Sequence, residues 1–377
     1  MSFSIYAKDR SVRLTVTTPD GEQAIVENAS GDTGFRMSFD CKRSMDSDPG
    51  ECVVQCLNLP PDVLGLIESA QVSKADDPDA ILVGKQLQSA VVNAEGADAL
   101  GAGFLILELE AGYNGSYSRL FKAVGARSSS SPDGDDVTTI TTIRASENLD
   151  GALLGLPMAT FPAGTTLHEL IDYLRKVAGL GVGNLSLATL TALIGESRLD
   201  SPYHVSGGQA LAFLRNALQY LPLRWFIDDR EIWLCGRDEV PSPTGAVPWV
   251  ADGPPEELEP IVGRVSRDDG GFVSVSCLLT GRVRPGRLVN LTEAGLSMAS
   301  RGLSPSAAKV RRANVPAGLY RAEEVAHRGD TGPGQYLTSL KLRPIVSPAP
   351  FTLLSDSERL ALDVDDVILS NLLGLKK

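Results

Sequence analysis

The chain has 377 residues, of which 43% are apolar and 22% charged, with a formal charge of −12. That length exceeds what one ordinary core organises, so two or three domains are expected. An acidic chain whose basic residues come only in short pairs such as Arg311-Arg312 is poorly suited to gripping nucleic acid, where affinity rests on neutralised phosphates.

No apolar run reaches the roughly 18 residues that a membrane-spanning helix needs. Residues 1–30 alternate polar and apolar and lack the apolar segment of a secretory leader, so none is expected. Cys41, Cys52, Cys56, Cys235 and Cys277 are odd in number and widely spread, which reads as buried free thiols rather than a disulfide framework.

Residues 3–60 read as antiparallel strands. Val12, Leu14 and Val16 alternate with Arg13, Thr15 and Thr17, Pro19-Asp20-Gly21 makes a turn, and Ala24 to Val26 resumes a strand. Phe35, Met37, Phe39 and Cys41 share one face at period two, and residues 52–59 form the next strand. Pro60-Pro61 opens a short helix with Val63, Leu66 and Ile67 on one side. Residues 71–103, rich in Ala, Asp and Gly, are expected as a surface excursion. Strands return at Phe104–Glu110 and Tyr117–Ala126 across a turn from Ala111 to Gly115. Ser128–Asp136 reads as a polar loop, and Val137–Ala145 as a further strand.

The apolar period then changes from two to 3.6. Leu167, Leu170, Ile171, Leu174 and Val177 predict a helix capped by Thr166 and Glu169 and stopped by Gly179. Shorter helices are expected over Leu187–Ile194 and over Gly207–Leu221, the latter with a Ser206–Gln209 capping box and Pro222 just beyond. Leu223–Ile227 and Glu231–Cys235 predict a hairpin across Asp228-Asp229-Arg230, with Trp225 facing Trp233. Residues 239–260 carry Pro241, Pro243, Pro248, Pro254, Pro255 and Pro260 and read as a linker. Period two resumes at Ile261–Ser266, Phe272–Leu279, Arg287–Leu291, Gly318–His327 and Tyr336–Leu342. From Ser355 the chain reads as a weakly amphipathic helix. The order is therefore a β domain over 1–147 with the 71–103 excursion, an α+β domain over 148–238, a Pro/acidic linker over 239–260, a second β domain over 261–345, and a tail over 346–377.

The residues offer little for catalysis. The histidines are His168, in a helical first turn, His204, read as a loop residue, and His327; no Gly-x-Ser-x-Gly elbow is present. Cys52 and Cys56 share a strand face but have no second pair at zinc spacing, so they read as core. Gly179-Leu180-Gly181-Val182-Gly183 follows a helix instead of a strand, so the context of a dinucleotide loop is missing. Neither a cofactor, a metal nor enzymatic activity is expected.

Several stretches, in order, resemble the baseplate hub family of phage tails, including the hub of Mu-like phages and related tail-tip proteins. In the C-terminal β domain they are Val275–Leu279 leading to Arg284-Pro285-Gly286-Arg287, then Gly318-Leu319-Tyr320-Arg321, then His327-Arg328-Gly329-Asp330-Thr331 before Tyr336. Asn58-Leu59-Pro60-Pro61-Asp62, Ala111-Gly112-Tyr113 with Leu120-Phe121-Lys122, and Phe161–Thr166 are similar to earlier parts of the family. The last C-terminal stretch is expected as a turn, with Gly329 supplying positive φ and Asp330 accepting turn amides, so its Arg-Gly-Asp is not read as an adhesion motif.

The resemblance implies a mainly β fold with an α+β insert: two tube-like antiparallel β-barrel domains flanking a small mixed α/β domain. It further implies a homotrimer whose six barrels form a ring, joining the sixfold tail tube or distal tail proteins above to the threefold central spike below. Baseplate wedge or sheath-linked proteins would be neighbours, and DNA would touch the ring only in transit. The protein would sit in the virion tail after assembly in the bacterial cytoplasm, with no membrane insertion. The alternative function is a host-surface or carbohydrate-binding tail-tip module.

Overall fold

A computed structural model describes residues 10–18, 21–28, 36–46, 48–72, 106–133, 138–147, 159–177, 180–183, 198–205, 210–218, 224–235, 255–258, 260–268, 270–299, 315–332 and 334–345. The expected 187–194 helix, the Ser206–Gln209 cap, nearly all of the 71–103 excursion, most of the 239–260 linker and the 346–377 tail lie outside these residues.

The fold is mainly β and antiparallel. The first half contributes β1 (Arg10–Thr17), β2 (Gln23–Asn28), β3 (Arg36–Ser44), β4 (Glu51–Leu57), α1 (Pro61–Val72), β5 (Ile106–Tyr113), β6 (Ser116–Asp133) and β7 (Thr138–Ser146). A smaller mixed segment follows with β8 (Ala159–Phe161), α2 (Leu167–Val177), β9 (Gly181–Val182), β10 (Tyr203–Val205), α3 (Ala210–Leu218), β11 (Arg224–Asp228) and β12 (Glu231–Cys235). The last part contains β13 (Glu256–Glu257), β14 (Ile261–Arg267), β15 (Val273–Leu278), β16 (Leu288–Leu291), α4 (Glu293–Ala299), β17 (Gly318–Asp330) and β18 (Tyr336–Pro344).

The two β halves are not separate sheets. One 13-stranded sheet runs β14-β15-β18-β17-β3-β4-β7-β6-β5-β1-β2, with β16 on β17 and β13 on β16. The seam is the antiparallel pair of β17 and β3, from Glu324↔Ser44 to Asp330↔Ser38. β17 serves both halves because it is long: its start pairs β16 and its remainder pairs β3, while β18 lines its other edge. A register shift between Ala322 and Glu324 marks the changeover and turns Glu323 inward. Closure of either half into a barrel is not seen among the described residues, in which β2 pairs only with β1 and β14 only with β15.

Alternation builds the cores. Val12, Leu14 and Val16 on β1, Met37, Phe39 and Cys41 on β3, and Cys52, Val54 and Cys56 on β4 are all buried in one cluster with Val63 and Ile67 of α1. Leu258 to Leu342 supply a second cluster, centred on Val275, Tyr320 and Val325. A third gathers Leu170, Ile171 and Leu174 of α2, Leu211, Leu214 and Leu218 of α3, and Trp225, Ile227 and Ile232 of the β11–β12 hairpin. The predicted capping box forms: the Glu169 amide donates to Thr166 Oγ1 at 3.2 Å, and the Thr166 amide to Glu169 Oε2 at 3.1 Å. Cys41, Cys52, Cys56 and Cys277 are free and buried.

Four local expectations are corrected. Ser128–Asp133, expected as loop, continue β6 and pair with β7 from Ser128↔Ile143 to Asp133↔Thr138. Ser and Thr suit a ladder whose backbone bonds carry the pairing, and Ser130 Oγ bonds Thr141 Oγ1 at 3.2 Å. The turn expected over 111–115 is only Asn114-Gly115, both left-handed, the two-residue hairpin type that leaves Ala111–Tyr113 in β5. Trp225 faces Leu234, while Trp233 faces Phe226, because the two-residue tip sets the register one step from the expected one. His204 lies on β10, opposite Thr160 of β8, instead of in a loop.

Candidate functional site: a buried charge cluster where the cores meet

The β11–β12 hairpin turns on Asp229 and Arg230, both left-handed at φ 50° and 66°. Such a tip projects Asp228 and Asp229 forward, and they enter the junction of the two β halves. Arg43 of β3 meets them there. Its guanidinium is 1% exposed, and Nη1 donates to Asp228 Oδ1 at 2.7 Å and to Asp229 Oδ1 at 3.4 Å. Arg119 of β6 donates to Asp229 Oδ2 at 2.7 Å, and Arg284 of the 280–287 loop bonds the same oxygen. One carboxylate from the mixed segment thus sits among three guanidinia from the β halves.

Glu147, just past β7, closes the floor. Its Oε1 accepts the Asp229 amide at 2.8 Å and its Oε2 accepts the Gly50 amide at 3.0 Å. A methyl group on Gly50 would meet Glu147 Oε2 at 2.6 Å and Arg43 Cγ at 2.8 Å, so this close approach requires glycine. Beside it, Glu323 at the β17 bulge accepts from Arg321 at 2.7 Å and from Arg224 of β11.

Electrostatics follow from burial and neighbours. Burial pushes the Glu147 carboxyl up to about 8, and the negative charge of Asp228 adds to that. Burial also raises Asp228, against the pull of Arg43. Burial opposes ionisation of Asp229 too, yet Arg43, Arg284 and Arg119 outweigh it and hold that carboxyl below its ordinary value. Arg230 is drawn down to about 10 by burial. Buried charges of this kind persist because they are paired.

Glu147, Asp228 and Asp229 place ligand oxygens within 4.8 Å of one another, the spacing of a cation site. The donor set does not suit one, however. Guanidinia already hold both aspartates, and both Glu147 oxygens accept backbone amides. No chemistry is therefore routed through a metal at this cluster.

The residues carrying the family resemblance are dispersed around the junction. Asn58 adopts the left-handed conformation and exchanges two bonds with Thr139, closing β4 before α1, and Leu59 is buried behind it. Pro285 and Gly286 form a turn closed by the Arg287 amide on the Arg284 carbonyl, with Gly286 at φ 82°, which aims Arg284 at the cluster. Gly318 opens β17 at φ 149°, and Tyr320 donates to the Pro316 carbonyl at 2.6 Å. Tyr113 stacks edge-on against Tyr336, whose hydroxyl donates to the Ser11 carbonyl at 2.7 Å and accepts the Gly112 amide at 3.2 Å.

His327, Gly329 and Asp330 are strand residues of β17 instead of turn residues, because β3 supplies a ladder partner for each. Gly329 is not left-handed. A side chain there would strike the Phe39 ring, at 2.1 Å from Cζ. Asp330 does accept a turn amide, from Gly332 at 2.7 Å, and also binds Arg36 at 2.6 Å. Thr331 Oγ1 accepts the Met37 amide at 3.0 Å. His327 is fully buried, its Nδ1 on Thr338 Oγ1 at 3.0 Å, and burial holds it well below the usual imidazole value, with Arg43 and Arg284 adding to the effect. His168 is half-buried, and His204 is exposed on Thr160.

The charge cluster escaped sequence reading. Asp228-Asp229-Arg230 looks like any polar hairpin tip, and Arg43, Arg119, Glu147 and Arg284 are scattered along the chain. The usable signal was Arg43 itself, an inward position on a strand whose neighbours Cys41 and Phe39 face the core.

No family model matches the chain, and no curated protein matches it. Solved structures do. A 43 kDa tail protein of prophage MuSo2 from Shewanella oneidensis is 9% identical with a TM-score of 0.46, over 88% of this chain and 97% of that one. A tail protein from Neisseria meningitidis MC58 is 9% identical with a TM-score of 0.43, over 88% and 96%. A chain of the Francisella PdpA-VgrG complex is 7% identical with a TM-score of 0.41, over 92% of this chain and 60% of that one.

Proposed function

We propose that this chain is a structural subunit of a phage tail, the baseplate or tail hub, and not an enzyme. In this reading three copies form a pseudo-sixfold ring that adapts the sixfold tail tube to the threefold central spike and lets DNA pass. The observation that carries it is the doubled β architecture: residues 10–147 and 255–345 each supply a strand set and a core, fused edge to edge through β3 and β17. Three such chains present six β modules from three copies. The domain boundaries follow the same reading, with modules at 1–147 and 261–345, an α/β domain at 148–238, a linker at 239–260 and a tail at 346–377. The charge of −12 per chain suits a ring through which DNA slides without being held.

Native mass spectrometry of the purified chain with negative-stain class averages tests the reading. A species near 3 × 40.0 kDa, about 120 kDa, in rings of apparent sixfold symmetry is the expected result. A chain that stays monomeric alone and with tail-tube rings, and that instead retains cell-surface glycans, overturns it in favour of the host-binding module.

A further inference from the structure

The hairpin tip is the main tie between the mixed segment and the sheet. The apolar cluster of the mixed segment draws only on residues 159–232, and neither large β cluster contains any residue of that segment. The one shared apolar contact among the described residues is small, with Met45 against Phe226 and Trp233. Ion pairs add to it, from Arg215 to Asp48, from Arg224 to Asp46 and from Arg224 to Glu323. Asp48 and Asp46 are 81% and 72% exposed, so the first two pairs contribute little. What remains is Asp228 and Asp229 in the socket of Arg43, Arg119 and Arg284, with the Asp229 amide on Glu147 and with Arg224 on the buried Glu323 beside it.

We propose that the Asp228-Asp229 tip is a releasable latch, which holds the α/β core against the β sheet and whose release lets that core move as a body while the sheet stays folded. Each side of the contact keeps its own core after separation. The left-handed tip places its two carboxylates in the socket, with Arg230 buried beside them, and all three socket arginines belong to the β halves. Arg43 bears two further buried nitrogens, Nε and Nη2, without acceptors, so the socket holds more donors than the tip satisfies. A socket of that kind favours an anionic occupant and is left strongly unbalanced by a neutral one.

The test uses the full chain. Asp229→Asn keeps a residue that tolerates the left-handed tip but removes the anion. The pair Arg119→Gln with Arg284→Gln empties the socket from the other side without touching the hairpin. Asp200→Asn, at an exposed position of the mixed segment, is the control. Small-angle scattering should show a larger radius of gyration for both latch variants and none for the control. Tryptophan emission should shift red as Trp233 leaves Met45, while far-ultraviolet dichroism stays that of the parent. Parental scattering and emission in both variants would overturn the proposal. So would loss of the strand signal, because the socket would then belong to a single folding core.

Discussion

Gly329 faces Phe39 across the seam, and the ring lies where the Cβ of any other residue would be. An aromatic ring laid over a cross-strand glycine covers the backbone that glycine exposes. Gly329→Ala therefore forces the ring out of a close-packed site, a cost on the order of 1–3 kcal/mol. Thermal or denaturant unfolding checks this, with Phe39→Leu in a double-mutant cycle. The two changes should be less damaging together than their sum, since the smaller side chain makes room for the methyl group. A glycine read as a turn-former from its neighbours is thus required for space. The difference was not legible locally, because the residue that occupies the space is Phe39, far away in sequence.

At the scale of elements, periodicity found most strands and the α2 helix with its cap, because those signals sit within a few residues of one another. What it missed depends on distant partners. Ser128–Asp133 have no apolar alternation and become strand only because β7 pairs with them. The end of β17 reads as a turn until β3 is beside it. The β11–β12 tip reads as a solvated turn until Glu147 and three arginines surround it, and there it acquires a pH dependence. Glu147 in the folded chain titrates near 8 against an ordinary 4.5. A carboxyl raised on folding holds its proton more tightly in the native state, so its contribution is fully present below about pH 4.5. That contribution is lost as pH rises toward 8. Asp228, also raised, acts in the same direction, whereas Asp229, lowered, acts oppositely. Glu147→Gln isolates the first of these. Stability of the parent relative to this variant should fall between pH 5 and 8 in denaturant titrations, and a pH-independent difference would assign the raised value to the wrong group.

For the whole molecule, the joined sheet decides how much of the chain must fold together. The sequence order suggests that 1–147 is one β domain. Yet the cluster built by that region includes Leu279 and Tyr336 from the far end of the chain. Arg10 ties β1 to the β17–β18 turn through the carbonyls of Asp330 and Gly332 at 2.7 and 2.6 Å. Without β17, the edge of β3 would present its amides and carbonyls to solvent, a template for aggregation. Without Tyr336, the Gly112 amide and the Ser11 carbonyl would lose a buried partner. A fragment ending at Glu147 should accordingly be aggregation-prone and lack a cooperative melt, and adding residues 255–345 in trans should restore soluble strand structure. A fragment that melts cooperatively on its own would mean that the seam is only an interface between finished domains. The expected failure would instead make β3 and β17 one folding unit, built from segments separated by about three quarters of the chain.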